Sequence, residues 1–385
     1  MMPNILYLGG SFMAENYLGE SIGKLGFGFM RLPVKEDGTP DYEPMMEMVD
    51  TFLDAGFSYF DTAYKYLGSE EALKMALVDR HPRDRFYIAT KMPTFMIKSA
   101  EDMQTTFNTS LERLGVEYLD FYLLHAFSLV QDERLEKLGV WEFIDKLKSE
   151  GRIKHFGFSF HDTPENLDIL LTKHSQVEFV QLQINYLDWE SEKVQSRRLY
   201  ETVNKHKKPF IIMEPVKGGL LAGSGSRAEK LFREANPDVS EASWAVRFAA
   251  SLDGLLTMLS GMNTMEQLKD NINTVKNLKP LSESELDTIG KAVEMLRNTP
   301  GVPCTGCKYC LDNCPRKLNI PFLMRIYNDY LVYNSMVGSG FPFAEATSSG
   351  RYPSTCLACR NCEEHCPQHI EISDVMSKMA AVFEK

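Results

Sequence analysis

Eight short apolar runs recur along the first two thirds of the chain, each followed by an amphipathic stretch. They lie at 25–28, 57–61, 86–91, 118–125, 155–159, 178–183, 210–214 and 254–260. Their spacing of about 30 residues is that of a strand–helix unit. The runs are rich in Phe, Tyr, Ile and Leu, and several are bulky on both faces, as in parallel strands covered on both sides. Between them, 73–78, 107–114, 135–147, 167–173 and 194–204 place apolar residues at three-to-four spacing and predict helices. Thr163-Pro164-Glu165 supplies an N-cap with Pro at the first helical position, and Ser240 opens another helix. Gly56, Gly115 and Gly151 stand where helices stop. Eight strands alternating with helices predict an α/β fold closed as a (β/α)₈ TIM barrel. An open doubly wound sheet is the alternative; eight units over about 250 residues favour the closed form.

Beyond the barrel pattern, 283–297 predicts a helix, followed by a Pro-Gly-Val-Pro connector at 300–303. The apolar, aromatic stretch 317–334 predicts a helix, 338–350 a loop, and 373–383 a final helix. The first 14 residues are mildly apolar but broken by Gly and Asn and without a basic start, so they read as a ragged terminus rather than a signal peptide. The expected organisation is an N-terminal extension over 1–17, a barrel over 18–300 and a small helical domain over 301–385.

Length and charge narrow the classes. A chain of 385 residues is longer than one core usually serves, in keeping with two folded units. A formal net charge of −11 argues against a nucleic-acid partner. The absence of an 18-residue apolar run argues against a membrane span and points to a cytoplasmic protein.

Cysteine usage changes the picture most. All eight cysteines fall after residue 303, which suits a cofactor confined to one module rather than a disulfide scaffold. The first group is Cys304-x-x-Cys307-x-x-Cys310-x-x-x-Cys314-Pro315 and the second Cys356-x-x-Cys359-x-x-Cys362-x-x-x-Cys366-Pro367. In two-cluster ferredoxins the fourth cysteine of such a run ligates the other cluster. The expected ligand sets for two [4Fe–4S] clusters are therefore Cys304, Cys307, Cys310 with Cys366, and Cys356, Cys359, Cys362 with Cys314. A pair of structural zinc sites, built from paired knuckles, is the alternative. The 41 residues between Cys314 and Cys356 suit a helical ferredoxin-like module.

The predicted strands end in Asp61, Lys91, His125, Ser159, the pair Gln181 and Gln183, Glu214 and Ser260. Strand C-termini of such barrels face the active site, so these residues predict a polar pocket at one mouth. Asp61, Lys91 and His125 are ionisable, and the loop after the second strand adds Tyr66. An ammonium near the phenol is expected to lower its pKa, with the carboxylate fixing the ammonium and the imidazole orienting the phenol or the substrate oxygen. That combination makes a general acid for a carbonyl oxygen. Taken singly, Lys91 could be a buried ion-pair partner and His125 a core histidine.

At these residues the sequence resembles the aldo-keto reductase superfamily over about 18–300. The motifs are Lys24-Leu25-Gly26-Phe27-Gly28, Tyr59-Phe60-Asp61-Thr62-Ala63, Leu67-Gly68-Ser69-Glu70, Ala89-Thr90-Lys91, Leu119-Asp120 through Leu124-His125, Gly157-Phe158-Ser159 and Val180-Gln181. With the cysteine module it looks like the subgroup carrying a fused dicluster domain. The resemblance implies a proton-donating tetrad at Asp61, Tyr66, Lys91 and His125, Tyr66 rather than Tyr64 having the family's spacing. It implies an extended nicotinamide dinucleotide contacted by Gly28, Ser159, Gln181, the turn Pro215 to Leu220 with Gly218 and Gly219, and Asn271. Phe160 stands where the family usually has Asn, Met213 or Glu214 where many members stack an aromatic ring, and 261–267 lacks the usual basic residues. NADP and NAD therefore both stay open, and a flavin is a further option. Arg31, Tyr64, Tyr186 and Trp189 are candidate pocket walls.

Hydride transfer moves two electrons and a [4Fe–4S] cluster passes one, so two functions remain in play. One is a reductase of small carbonyl compounds whose clusters relay electrons, sense redox state or stabilise the fold. The other is an electron-transfer protein whose barrel docks a partner or holds a flavin.

Overall fold

A computed structural model describes residues 13–14, 17–35, 40–222, 228–298, 301–333 and 340–384. Most of the expected N-terminal extension, Pro300 of the connector, and residues 334 and 338–339 of the expected helix and loop lie outside the described residues.

Eight parallel strands close in sequence order into a barrel: β1 Leu25–Gly28, β2 Tyr59–Asp61, β3 Tyr87–Pro93, β4 Leu119–Phe127, β5 Ile153–Phe160, β6 Phe179–Gln183, β7 Phe210–Met213 and β8 Leu255–Ser260. Closure is made by β1 against β8, with Leu25 opposite Met258 and Phe27 opposite Ser260. The open-sheet alternative is thereby excluded.

The alternation within each strand explains both the core and the site. Tyr59, Ala89, Phe121, Phe179 and Ile211 fill the barrel interior. Phe60, Ile88, Tyr122, Val180 and Ile212 point the other way, into the core shared with the surrounding helices. Two residues beyond the interior layer the same faces carry Asp61, Lys91, Gln181 and Met213, with His125 four residues beyond Phe121. The interior thus turns from apolar to polar toward the strands' C-terminal ends.

The helices depart from the sequence reading in places. The expected helix 135–147 is two, Leu129–Lys137 and Val140–Ser149, because Gly139 adopts φ +78° between them. Tyr42–Asp54 and Met265–Lys276 are helices that pattern reading left unassigned. Part of the expected loop 338–350 is the helix Gly340–Thr347.

After the helix Glu283–Arg297, the cysteine segments and the helices Ile320–Tyr333 and Ile372–Phe383 enclose a second core. Leu318, Leu323, Met324, Met376 and Met379 pack there with Cys310, Cys314 and Cys362. This module sits over the barrel mouth. The Arg31 guanidinium donates to the Thr305 carbonyl at 2.9 Å, and Lys65 pairs with Asp312 at 2.6 Å. Gly218, at φ +65°, packs so tightly that a Cβ would lie 2.8 Å from the Thr305 carbonyl oxygen.

Candidate active site

Asp61, at the end of β2, and Lys91, in β3, form a buried ion pair: Lys91 Nζ donates to Asp61 Oδ1 at 2.5 Å and to the Thr62 carbonyl at 2.7 Å. Burial pushes the Asp61 carboxyl up and the Lys91 amine down, each opposed by the other's charge. The ammonium lies 5.3 Å from the centre of the Tyr66 ring, a cation–π contact.

Tyr66 is presented by a loop whose own residues lock it. The Thr62 and Ser69 hydroxyls meet at 2.6 Å, and Ser69 Oγ donates to the Phe29 carbonyl at 2.8 Å. Glu70, buried, accepts from Thr90 Oγ1 at 2.7 Å and from Arg113, which also reaches the Tyr64 carbonyl and covers the Tyr64 ring. The motif Gly68-Ser69-Glu70 is therefore the scaffold of the tyrosine loop. The expected lowering of the Tyr66 pKa is not found: burial pushes it well above 10.0, with Tyr309 and Asp61 adding to the rise. Lys91 aims its assigned hydrogen bonds at Asp61 and Thr62, and Tyr66 is held as the neutral phenol.

His125 is raised on an irregularity in β4. The register against β5 shifts between Leu124 and Phe127, and Ala126 takes φ +51°. Ser159 holds this bulge, its hydroxyl accepting from the Ala126 N–H at 2.8 Å. Bulges beside sites re-aim a side chain in this way. Burial depresses the His125 pKa well below 6.5, so the imidazole is neutral.

Sequence reasoning missed Tyr309. It lies between Cys307 and Cys310, and its hydroxyl stands 3.0 Å from His125 Nε2 and 3.5 Å from the Tyr66 hydroxyl. No local signal marks it, since the contact spans 184 positions.

A pocket of about 500 Å³ opens at this mouth. Gly28, Arg31, Asp61, Tyr66, Gln181, Met213, Pro215, Gly218, Gly219 and Asn271 line it, and so do Cys307, Tyr309 and Pro367 of the cysteine module. Lys91 and His125 sit behind its wall, as does Ser159, whose hydroxyl serves Ala126. Leu220 does not line it and is half exposed. Tyr186 and Trp189, expected as walls, belong to the core against Phe248, and Tyr64 packs on Arg113. Among the described residues, Gln181 Oε1, Asp61 Oδ2 and Glu214 Oε2 are buried without a protein partner. Such orphaned acceptors suit a bound polar ligand. Asn271 donates to Ser260 Oγ at 2.7 Å at the outer end, beside Glu266 and Asp270.

The cysteines gather as two sets. Cys304, Cys307, Cys310 and Cys366 line one small cavity, and Cys314, Cys356, Cys359 and Cys362 line another. None of the eight forms a disulfide. Burial pushes Cys307 up to about 12 and Cys362 up to about 11. Four sulfurs converging on one cavity suit a cationic iron core, whose charge would favour the thiolates that burial otherwise disfavours.

A buried network ties the two parts together. Lys217 Nζ reaches both Asp188 carboxylate oxygens at 2.7 Å and Gln368 Oε1 at 2.7 Å. Gln368 Nε2 in turn donates to Gln183 Oε1 at 3.0 Å. Gln368 follows Cys366-Pro367, so the first cysteine set faces the barrel.

Comparison with known proteins agrees with this geometry. The Aldo/keto reductase family matches residues 24–294, and a 4Fe-4S dicluster domain matches residues 303–371. An NAD/NADP-dependent indole-3-acetaldehyde reductase of Schizosaccharomyces pombe is 25% identical over 198 residues, 51% of this chain and 62% of that protein. Protein REDOX 2 of Catharanthus roseus is 28% identical over 190 residues, 43% of this chain and 57% of that protein. The chain spans about three fifths of the length of these curated relatives. Among solved structures, an aldo-keto reductase from Klebsiella pneumoniae in complex with NADPH superposes with a TM-score of 0.59 at 20% identity. The match covers 74% of this chain and 95% of that one. No helix among the described residues is long and apolar enough to cross a membrane. Barrel fold and sequence agree, and the chain belongs to the aldo/keto reductase family, with a 4Fe-4S dicluster domain after its barrel.

Proposed function

We propose that the protein reduces small aldehydes or ketones at the barrel mouth, with Tyr66 as proton donor and a reduced nicotinamide dinucleotide, NADPH or NADH, in the pocket. The observation that carries the reading is the Tyr66 phenol lining the pocket with the Lys91–Asp61 pair, 2.5 Å apart, buried beside it.

Tyr66 keeps its proton until a carbonyl oxygen gains negative charge. The ammonium 5.3 Å from the ring centre then favours the phenolate that forms, and Asp61 holds the ammonium in place. A nicotinamide, when bound here, would supply the hydride. Gln181, whose Oε1 is buried and unpartnered, is placed to accept from its carboxamide, and Gly28, Pro215, Gly218, Gly219 and Asn271 would wall the dinucleotide. Ser159 fixes the bulge that carries His125 by accepting from the Ala126 N–H.

The module after the barrel holds two [4Fe–4S] clusters in this reading, one on Cys304, Cys307, Cys310 and Cys366, the other on Cys356, Cys359, Cys362 and Cys314. Such clusters supply one-electron transfer. Cys307 shares the pocket wall with Tyr66, and that single contact favours a second reading, in which electrons pass between the module and a flavin or other acceptor in the barrel, with an electron-transfer protein as partner.

The test is Tyr66→Phe with both clusters loaded, assayed on a small aldehyde under anaerobic conditions. Turnover is expected to fall by about 10²- to 10⁴-fold with nicotinamide affinity unchanged. Unchanged turnover contradicts the carbonyl reading. Flavin released on denaturation, with no nicotinamide binding, favours the second.

A further inference from the structure

We propose that Tyr309 is a further catalytic residue: its hydroxyl, delivered from the cysteine loop, takes the place of His125 as the second hydrogen-bond donor to the substrate oxygen. The proposal rests on carbonyl chemistry at the barrel mouth.

Three observations carry it. First, Tyr66 and Tyr309 both line the pocket, and His125 does not. The Tyr309 hydroxyl, 3.0 Å from His125 Nε2, stands between the imidazole and the open space. An oxygen that enters beside Tyr66 meets two phenols and not the His125 imidazole.

Second, the two hydroxyls are 3.5 Å apart. That is long for a bond between them, since hydroxyl pairs usually meet at about 2.7–2.8 Å. It is short enough for one oxygen on the pocket side to accept from both. A reacting oxygen belongs at such a point, about 3 Å from each of its donors.

Third, the Nε2-protonated tautomer of His125 leaves the Tyr309 hydrogen to the pocket. Nδ1 is buried without a partner, and the rings of Tyr66, Phe95 and Tyr309 enclose the imidazole. With the proton on Nε2, the imidazole donates to the Tyr309 oxygen and leaves the phenol's own hydrogen free for the pocket. His125 then acts through Tyr309 and is a positioning residue. The bookkeeping of the reaction is unchanged: hydride adds to the carbonyl carbon, Tyr66 gives the proton to oxygen, and Tyr309 forms and breaks no covalent bond.

The arrangement also explains why the module sits where it does. Arg31 holds the Thr305 carbonyl, Lys65 holds Asp312, and Gly218 admits the loop at close range, so the segment bearing Tyr309 is fixed on both sides. The barrel supplies one hydroxyl of the pair and the cysteine module the other.

The test is Tyr309→Phe in the full chain, with iron and sulfide content matched to wild type. Two measurements are made: steady-state reduction of a small aldehyde, and the affinity of the nicotinamide-loaded protein for acetate, whose oxygen stands in for the reacting one. The expected result is a kcat lower by about 10²-fold, the usual loss on removing one such donor. Acetate affinity is expected to fall about tenfold or more, with nicotinamide affinity unchanged. Wild-type kcat and acetate affinity in this variant overturn the proposal. So does faster turnover in Tyr309→Ala, which would make the ring a plug rather than a donor. Tyr66→Phe separates the two levels: turnover lost there but kept in Tyr309→Phe refutes the role of Tyr309 alone, and turnover kept in both refutes carbonyl reduction itself.

Discussion

Lys91 directs its hydrogens at Asp61 and the Thr62 carbonyl, and that choice decides how Tyr66 behaves. A phenol whose pKa burial raises, with no ammonium bonded to it, stays protonated, so in the proposed reaction the ion pair acts on the developing charge rather than on the resting acid. Burial has the same kind of consequence at His161, which lines the pocket and is pushed down to about 4 by burial and by His369. A histidine whose folded pKa lies below 6.5 favours the native state while neutral. The unfolded chain takes up the proton first, so this contribution is complete above about 6.5 and is lost as pH falls toward 4. The melting temperature is expected to drop across that window, and His161→Gln to flatten the drop; equal slopes in the two proteins would contradict it. At this scale the sequence was informative where chemistry follows strand ends. Asp61, Lys91 and His125 could be named from it, because alternation puts every second strand residue on one face. Tyr309 could not, because nothing near Cys307 records a contact with β4.

The strands were the most legible elements, since eight apolar runs could be covered on both faces only in a sheet wrapped by helices. Their closure depends on positions where a side chain would not fit. At Gly157 in β5, a Cβ would come within 2.4 Å of the Phe179 carbonyl oxygen and 2.9 Å of its ring. Gly157→Ala is therefore expected to separate β5 from β6 locally and to cost about 1–3 kcal/mol in chemical denaturation, the usual penalty of overpacking. A variant as stable as wild type would contradict that register. Helix limits were less legible. Apolar spacing runs through Gly139 as though one helix continued, but the left-handed backbone there ends it. Tyr42–Asp54 carries Met45, Met48, Val49 and Phe52 on one face and is as readable as its neighbours once β1 and β2 are set. The bulge at Ala126 has no sequence signature, so the role of Ser159 in holding His125 appears only in three dimensions.

The whole molecule is a barrel with its mouth roofed by the cysteine module, and the joint is polar and buried. Lys217 is the centre of that joint, and removing it strands the Asp188 carboxylate in the interior. Lys217→Met is expected to destabilise the protein by about 3–5 kcal/mol, the cost of breaking a buried pair; a melting curve matching wild type would contradict the latch. The motif spacing located the module and its cysteine sets, but not the face it covers, because docking depends on Gln368, Thr305 and Asp312 meeting residues far away in sequence. The docking gives iron removal a definite consequence. Tyr309 lies between two cysteines of a proposed cluster, so iron removal is expected to loosen its hydroxyl within a loop still held at Thr305 and Asp312, lowering turnover by about 10²-fold while the barrel's circular dichroism and nicotinamide affinity persist. Full turnover without iron would contradict the link. The most direct test of the central claim is an anaerobic single-turnover experiment, in which protein with intact clusters and bound NADPH or NADH is mixed with a small aldehyde and nicotinamide oxidation is followed. The account predicts one nicotinamide oxidised per aldehyde reduced, fast in wild type and nearly abolished in Tyr66→Phe; equal rates in the two proteins would contradict it.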